Sequence, residues 1–479
     1  MHQTKLVNLL KGLTQDEINR FSKFVRSPFY NTNPTVAKLF ELLKSDHPDY
    51  TARRLKKENV FKKLYPGKPF HYQLMSNLRR QLVQLVREYL IVLENEQDEL
   101  LKKKTLVRAF GKRNMYAFFE KGTEALIDDL EQNSFRDSIY YKEMLEAKYE
   151  YFYHPQTNRY RPNQDYAHDI MKMLDRYFVL FKLRMGSDLK TRERALSYSY
   201  QIDLLEPVKN IAGEKFYQEN PIFSIYHKFY LLHEKRTDEQ NFHELNNEYK
   251  TFVNQFRMTD KKLIFYELIN YCVGKINLGK SDFNRDAFEL FKFGLKNELL
   301  IVNGKMTEAT YNNIVSTAGI LDEFDWAFSF VEEYSVYLEE EIRRSAKMIS
   351  LGELYFRQRQ FDRVIETLWG EQFTHVIYQV KSRILLIMNW FEKYLEDQTN
   401  FEVVMSQVDA FEKYILRNKK ISKNRKRGYL NFNAMVKKMV KNHFEILNSK
   451  KEKQKLLEKI HSYEVITGKV WLVRKLKSI

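Results

Sequence analysis

Apolar residues recur every three to four positions along nearly the whole chain, the spacing that places them on one face of a helix. Thr14-Gln-Asp-Glu17 is a capping-box sequence, and it opens a helix with Ile18, Phe21, Phe24 and Val25 on one side. Residues 27–34 break that helix and start another, with Leu39, Leu42 and Leu43 inward. A short helix over 59–64 ends at Pro66-Gly67, and Leu74, Leu78, Leu82, Leu85, Tyr89 and Leu93 then keep helical spacing for several turns. Further helices are predicted around 116–119, 144–153, 170–185, 222–232 and 245–256, with connections at His154-Pro155, Arg161-Pro162 and Glu206-Pro207, and with Asn220-Pro221 as a helix start. Helical patterns continue over 380–391, 403–416 and 450–460, and the apolar side chains of 470–473 are expected to dock the end of the chain.

Within this series one segment repeats. Glu-Phe-Asp-Trp-Ala-Phe at 323–328 returns as Gln-Phe-Asp-Arg-Val-Ile at 360–365, so Phe324 and Phe361 stand 37 residues apart. Each copy follows one amphipathic pattern and opens another. The second copy resembles a tetratricopeptide unit: Leu351-Gly352 and Tyr355 stand at that family's Leu-Gly and Tyr positions, Phe361 at the turn aromatic and Leu368 at the late apolar position. Val364, Arg359 and Val376 depart from its small residue, turn glycine and terminal proline. In the first copy Phe324 and Ala327 match, while Val315 and Ala318 replace the glycine and tyrosine. The resemblance implies paired helices stacked on their neighbours, because one such pair cannot bury its apolar faces alone. It also implies a groove faced by Asn312 and Ser316 in the first unit and by Ile349, Glu353, Phe356 and Arg357 in the second. Carboxylate-gripping versions carry Lys and Asn where Ile349 and Glu353 stand, so capture of a C-terminal carboxylate is disfavoured.

Composition supports helices with short connections. In 479 residues there are only 15 Gly and 9 Pro, too few for the turns of a sheet-rich protein, against 35 Phe and 31 Tyr to fill a core. The single cysteine, Cys272, excludes an intrachain disulfide and any multi-cysteine metal site. With no apolar signal core at the start and no apolar run long enough to span a bilayer, a cytoplasmic location without membrane insertion is expected.

Charge changes the picture more. Residues 1–121 carry 24 Lys/Arg against 12 Asp/Glu and residues 411–479 carry 20 against 5, so the stretch between them is net acidic at −10 in a chain of net charge +17. Basic ends could meet an anionic partner such as nucleic acid, fold back on the acidic middle, or simply be solvated helix faces. At the N-terminal end, Glu58-Asn-Val-Phe-Lys-Lys-Leu-Tyr-Pro66 with Leu78-Arg-Arg-Gln-Leu82 resembles the winged-helix half of bacterial activators that join such a domain to helical repeats. That resemblance implies Arg79 and Arg80 as DNA contacts, although the pattern after Leu82 stays helical where a wing would need strands. At the C-terminal end, Lys419, Lys420, Lys423, Arg425, Lys426 and Arg427 form the densest cationic run and are further candidate anion contacts.

One motif points elsewhere. Gly274-Lys-Ile-Asn-Leu-Gly279-Lys280-Ser281 is a literal Walker A pattern, but such a loop works only between a buried parallel strand and a helix, in a fold of alternating strands and helices. No such series is visible, and Gly279 reads as a turn between paired helices. The 11 His are scattered without ligand spacing and no nucleophile elbow occurs, so neither a metal nor another cofactor is expected.

Over nearly its whole length the chain resembles a family of uncharacterised all-helical bacterial proteins, on the strength of Ser27-Pro-Phe-Tyr-Asn-Thr-Asn33, Leu64-Tyr-Pro-Gly67, Leu74-Met-Ser-Asn-Leu78, Asn270-Tyr-Cys272, Tyr311-Asn-Asn-Ile-Val315 and Phe324-Asp-Trp-Ala327. That resemblance implies architecture and no activity. The fold expected is all-α: an N-terminal helical bundle ending in a long helix (1–112), irregular helical hairpins (113–260), tetratricopeptide-like repeats (261–400) that make an α-solenoid, and a basic C-terminal helical region (401–479). The function expected is that of a non-enzymatic scaffold for a protein or peptide partner, with nucleic-acid binding as the alternative and nucleotide binding at the Walker-like loop behind it.

Overall fold

A computed structural model describes residues 4–51, 53–157, 165–196 and 198–479, the side chains of Arg53, Arg194 and Ala195 excepted. The Arg161-Pro162 connection lies outside the described residues. Among those described the protein is all-helical, with 25 α-helices and no strand beyond an isolated bridge between Val302 and Lys305. The chain divides into two compact units, residues 1–181 and 182–479, a coarser division than the four segments read from the sequence.

The first unit opens with α1 (Lys5–Lys11), α2 (Gln15–Arg26), α3 (Pro34–Lys44), α4 (Lys57–Leu64) and the 26-residue α5 (Tyr72–Gln97). The capping box forms: Thr14 Oγ1 accepts from the Glu17 amide at 3.3 Å, and Glu17 Oε2 accepts from the Thr14 amide at 2.7 Å. Met75, Leu78, Leu82, Leu85, Val86, Tyr89 and Leu93 make one buried stripe on α5, and α1, α2 and α3 pack on it. Tyr89 ties the long helix to α2 by donating its hydroxyl to the Glu17 carbonyl at 3.0 Å. No strand pair follows α4 or α5, so nothing there forms a wing. Next come α6 (Glu99–Lys112), α7 (Tyr116–Gln132) and α8 (Ser138–Phe152), and the boundary between the units falls within α9 (Tyr166–Leu196).

In the second unit, α10 (Leu205–Ala212), α11 (Lys215–Gln218), α12 (Pro221–Glu234) and α13 (Glu239–Phe252) precede α14 (Met258–Asn277) and α15 (Phe283–Lys296). Then follow α16 (Glu308–Ile320), α17 (Phe324–Tyr334), α18 (Glu340–Arg357), α19 (Phe361–Leu368), α20 (Val376–Glu396) and α21 (Phe401–Arg417). Each of these helices packs on the next, and α18 also packs on both α16 and α20. Gly352 lets α19 close on α18: a Cβ there would stand 2.9 Å from Cδ1 of Leu368, which is 2% exposed.

The turns between paired helices share one solution. Asn114, Asp322 and Arg359 have φ of 57°, 60° and 59°, the left-handed state that ends a helix, and an aromatic opens the next helix two residues later in each case: Tyr116, Phe324 and Phe361. The amide after each left-handed residue reaches five residues back, Met115 to the Phe110 carbonyl (3.1 Å), Glu323 to Ala318 (3.0 Å) and Gln360 to Tyr355 (2.9 Å). The turn therefore recurs with side chains as different as Asn, Asp and Arg.

The chain closes with α22 (Lys423–Lys441), α23 (His443–Asn448), α24 (Lys450–Ser462) and α25 (Lys469–Ser478). Leu472 and Leu476 of α25 are fully buried in the core that α20, α21 and α22 share. Trp471 Nε1 and Lys475 Nζ both donate to the buried carboxylate of Glu392 on α20, at 3.2 and 2.6 Å. The docking expected for 470–473 thus rests on Trp471 and Leu472, whereas Val470 is 75% exposed. Among the described residues no helix is long and apolar enough to cross a membrane.

Candidate partner groove and basic clefts

Because α18 lies between α16 and α20, one of its faces is flanked by both. Glu353 and Arg357, one turn apart on α18, belong to that face. Arg357 passes over Gly319 in the last turn of α16, where a Cβ would meet its Cδ at 2.8 Å and its Nε at 3.2 Å. From α20, Lys381 acts electrostatically on Glu353, and from α25, Arg474 acts on Arg357. Burial pushes the Glu353 carboxyl up from its usual pKa, against the attraction of Lys381 and Arg357. Burial, helped by Arg474, pushes the Arg357 guanidinium down, against the attraction of Glu353. In both groups the loss of hydration outweighs the opposite charge nearby. Arg357 nonetheless remains exposed at its surface and Glu353 half-exposed, so both are crowded by protein and open to water. Neither side chain forms an ion pair within 4.0 Å among the described residues.

The other expected groove residues are distributed around this pair. Asn312 is half-buried and donates to Glu308 Oε1 at 3.4 Å, and Ser316 is half-buried on the same helix. Ile349, at 2% exposure, belongs to the floor rather than the surface. Phe356 turns partly away, toward Phe361 (ring centroids 6.0 Å apart) and the C-terminal core.

The Walker-like sequence occupies the reverse of a phosphate loop. Gly274 is inside α14, and the stretch runs off the C-terminal end of that helix, where carbonyls point outward and disfavour anions. The Leu278 amide is bonded to the Gly274 carbonyl and that of Lys280 to the Lys275 carbonyl at 3.1 Å, while Gly279 takes φ 89°. This is the helix-ending turn seen at Asp322 and Arg359, so Gly279 ends a helix instead of cradling a phosphate. Lys280 pairs with Glu239, as does Lys275 at 2.8 Å, and the two lysines hold the Glu239 carboxyl down to a pKa of about 2. Cys272 is fully buried in α14, and burial pushes its thiol pKa up, away from nucleophilic use. No group of His, Cys, Asp and Glu among the described residues is placed to hold a metal ion.

The candidate anion contacts fall in two places. Arg79, half-buried, and Arg80, exposed, lie with Lys5 and Arg87 around an open cleft of about 550 Å³ between α1 and α5. Lys419, Lys420, Lys423, Arg425 and Lys426 gather where α21 ends and α22 begins, with Lys426 Nζ donating to the Leu416 carbonyl at 3.3 Å. Arg427 is engaged differently, with Glu464 at 3.2 Å. Arg383, Lys413 and Arg417 escaped the sequence reading, yet they line an open cleft of about 500 Å³ beside that run, together with Ala410, Tyr414 and Asn418. The available signal was the Lys413/Arg417 spacing, which puts both cations on one face of α21. No known protein-family model matches this chain, and no match was found among curated proteins or solved structures.

Proposed function

We propose that the hairpins α16/α17, α18/α19 and α20/α21 form a short tetratricopeptide-like solenoid whose concave face holds a protein or peptide segment, and that the protein acts as a non-enzymatic scaffold. The observation that carries this reading is the pair Glu353 and Arg357: two charged groups held on a water-accessible but crowded face, each shifted toward neutrality, neither matched by an ion pair. A fold gains nothing in stability from such groups, whereas a partner that supplies complementary donors and acceptors would. The recurrence of one turn at Asp322 and Arg359, and the packing of α18 on both α16 and α20, support the repeat. The resemblance to all-helical bacterial proteins belongs to the same proposal and adds no activity to it.

The test is a photo-crosslinking residue placed in turn at Ser316, at Arg357 and, as a control, at Glu366, which is exposed on α19. The same polypeptide should be captured from the first two positions in cells and not from the third. Equal capture from all three, or none from the groove, rejects the reading.

A further inference from the structure

The hairpin of α21 and α22 turns back at residues 418–422, and its end collects cations that form no ion pair among the described residues. Lys413 and Arg417 are one turn apart on α21, about 6 Å along the axis, and both are exposed. Arg383 reaches the same cleft from α20, its guanidinium 4.6 Å from the centre of the Tyr414 ring. That ring is itself fixed: the Tyr414 hydroxyl donates to Gln379 Oε1 at 2.5 Å and accepts from Asn418 Nδ2 at 3.0 Å. Asn418 Oδ1 in turn accepts from the Lys420 amide at 2.9 Å, which fixes the start of the cationic loop beside the cleft.

The charge continues past the cleft. Lys423, Arg425 and Lys426 occupy the first turn of α22, which contains no acidic residue, so they add to the positive end of the helix dipole instead of offsetting it. Among the described residues none of Arg383, Lys413, Arg417, Lys420, Lys423 or Lys426 has an acidic partner within 4.0 Å. Elsewhere the lysines of this region do find partners, Lys437 with Asp409 at 2.7 Å and Lys475 with Glu392. The deficit of acids is therefore local to this end of the hairpin.

We infer that the cleft of Arg383, Lys413 and Arg417, extended by Lys420 and the first turn of α22, binds the sugar–phosphate backbone of a nucleic-acid strand. A single phosphate would leave most of these cations unmatched, whereas a strand carries a charge at every nucleotide and releases condensed counterions on binding. A lipid surface is the poorer fit: cations alone attach to it weakly without apolar side chains to insert beside them, and of the large apolar residues in 401–430 only Leu416 is exposed, at 59%. Tyr414 is the aromatic among the residues lining the cleft, and Arg383 lies over one face of its ring, so the contacts offered are chiefly to phosphate and the binding is indifferent to base sequence. This site is separate from the groove around Glu353, and neither depends on the other.

The experiment uses the full chain and a fluorescein-labelled 20-nucleotide single strand of mixed sequence, read by anisotropy between about 50 and 200 mM salt. Contacts to about four phosphates predict a slope of log K against log salt near −3. Lys413→Gln with Arg417→Gln should weaken binding at low salt by about tenfold or more and reduce that slope by about 1.5. The charge-keeping exchange Lys413→Arg with Arg417→Lys should bind as the parent does. Both pairs are on the surface, and an unchanged urea midpoint shows that the fold is kept. Undetectable binding by the parent, equal binding by the Gln variant, or binding to phosphatidylserine vesicles but not to the strand would each overturn the proposal.

Discussion

Gly319 on α16 and Arg357 on α18 meet so closely that the missing Cβ is what lets the arginine lie across α16, with Cδ 2.8 Å from where that carbon would stand. Gly352 makes the same concession to Leu368, at 2.9 Å. The two differ in what would have to move. Alanine favours a helix over glycine by roughly 0.5–1 kcal/mol at either site. At Gly319 the nearest obstacle is the flexible stem of an exposed arginine, with the buried Leu354 Cδ2 farther off at 3.3 Å, so Gly319→Ala should cost less than Gly352→Ala and be close to neutral for stability while displacing Arg357 from its place over α16. At Gly352 the obstacle is a buried leucine, and overpacking of about 1–3 kcal/mol should leave Gly352→Ala destabilised. Urea titration of both variants checks the contrast, and equal effects would contradict it.

The turn at Arg359 stores a smaller strain. A side chain in the left-handed state costs roughly 1–2 kcal/mol that glycine avoids, and glycine returns part of this through the entropy of the unfolded chain. Arg359 contributes little in exchange, because its pair with Glu396 at 2.8 Å is exposed at both ends. Arg359→Gly should therefore stabilise the protein by about 0.5–1 kcal/mol, seen as a higher urea midpoint. A loss of stability would mean that the arginine holds the turn by its position 5.4 Å over the Phe361 ring.

The sequence disclosed what is local. Thr14 with Glu17 and Asn220 with Pro221 cap their helices as read, because a cap is settled by residues within one turn; Asn220 accepts from the Ile222 amide at 3.0 Å. The approach of Leu368 to Gly352 was legible too, since the tetratricopeptide-like spacing sets a glycine on one helix against a late apolar residue on the next. The turn at Arg359 was visible only as a departure, because an arginine carries no sign of a positive φ. Ile349 was expected at a surface and is buried, since α18 is packed on two sides and keeps less of its circumference free than a terminal hairpin would. The cleft of Arg383, Lys413 and Arg417 is brought together by the pairing of α20 with α21 across thirty residues, which no local pattern announces. The Walker match could be set aside from the sequence, because the alternating strands it requires are missing there, and Gly279 forms the helix-ending turn expected of it. Gly279 and Lys280 fit the spacing of a phosphate loop, but whether a glycine begins or ends a helix depends on the residues before it.

Glu239 gives that turn a pH signature. Its two lysine partners lower its folded pKa to about 2, below the roughly 4.3 of a free glutamate. A carboxylate with a depressed pKa contributes stability that is whole above the unfolded value and is lost as pH falls through the folded one. The stability difference between the parent and Glu239→Gln should thus be constant above about pH 5 and disappear as the pH falls toward about 2. Lys280→Ala should raise the carboxyl pKa of Glu239, followed by NMR titration, while leaving ATP binding no different from the parent. An ATP signal that disappears in Lys280→Ala would restore the phosphate-loop reading.

Glu353 reverses the sign. Burial raises its folded pKa, so the unfolded chain gives up the proton more readily, and ionising this carboxyl costs the native state free energy that it does not cost the unfolded chain. That penalty is full above the folded value and is relieved as pH falls toward the unfolded one. Glu353→Gln, which keeps the shape and drops the charge, should therefore be more stable than the parent at pH 7, with the advantage fading near pH 4. A residue whose removal stabilises the fold is retained for another reason. If that reason is the partner, the same substitution should reduce crosslinking from Ser316 even as the urea midpoint rises. Lower stability together with unchanged crosslinking would instead make Glu353 a structural group, and the groove would lose the residue on which it chiefly depends.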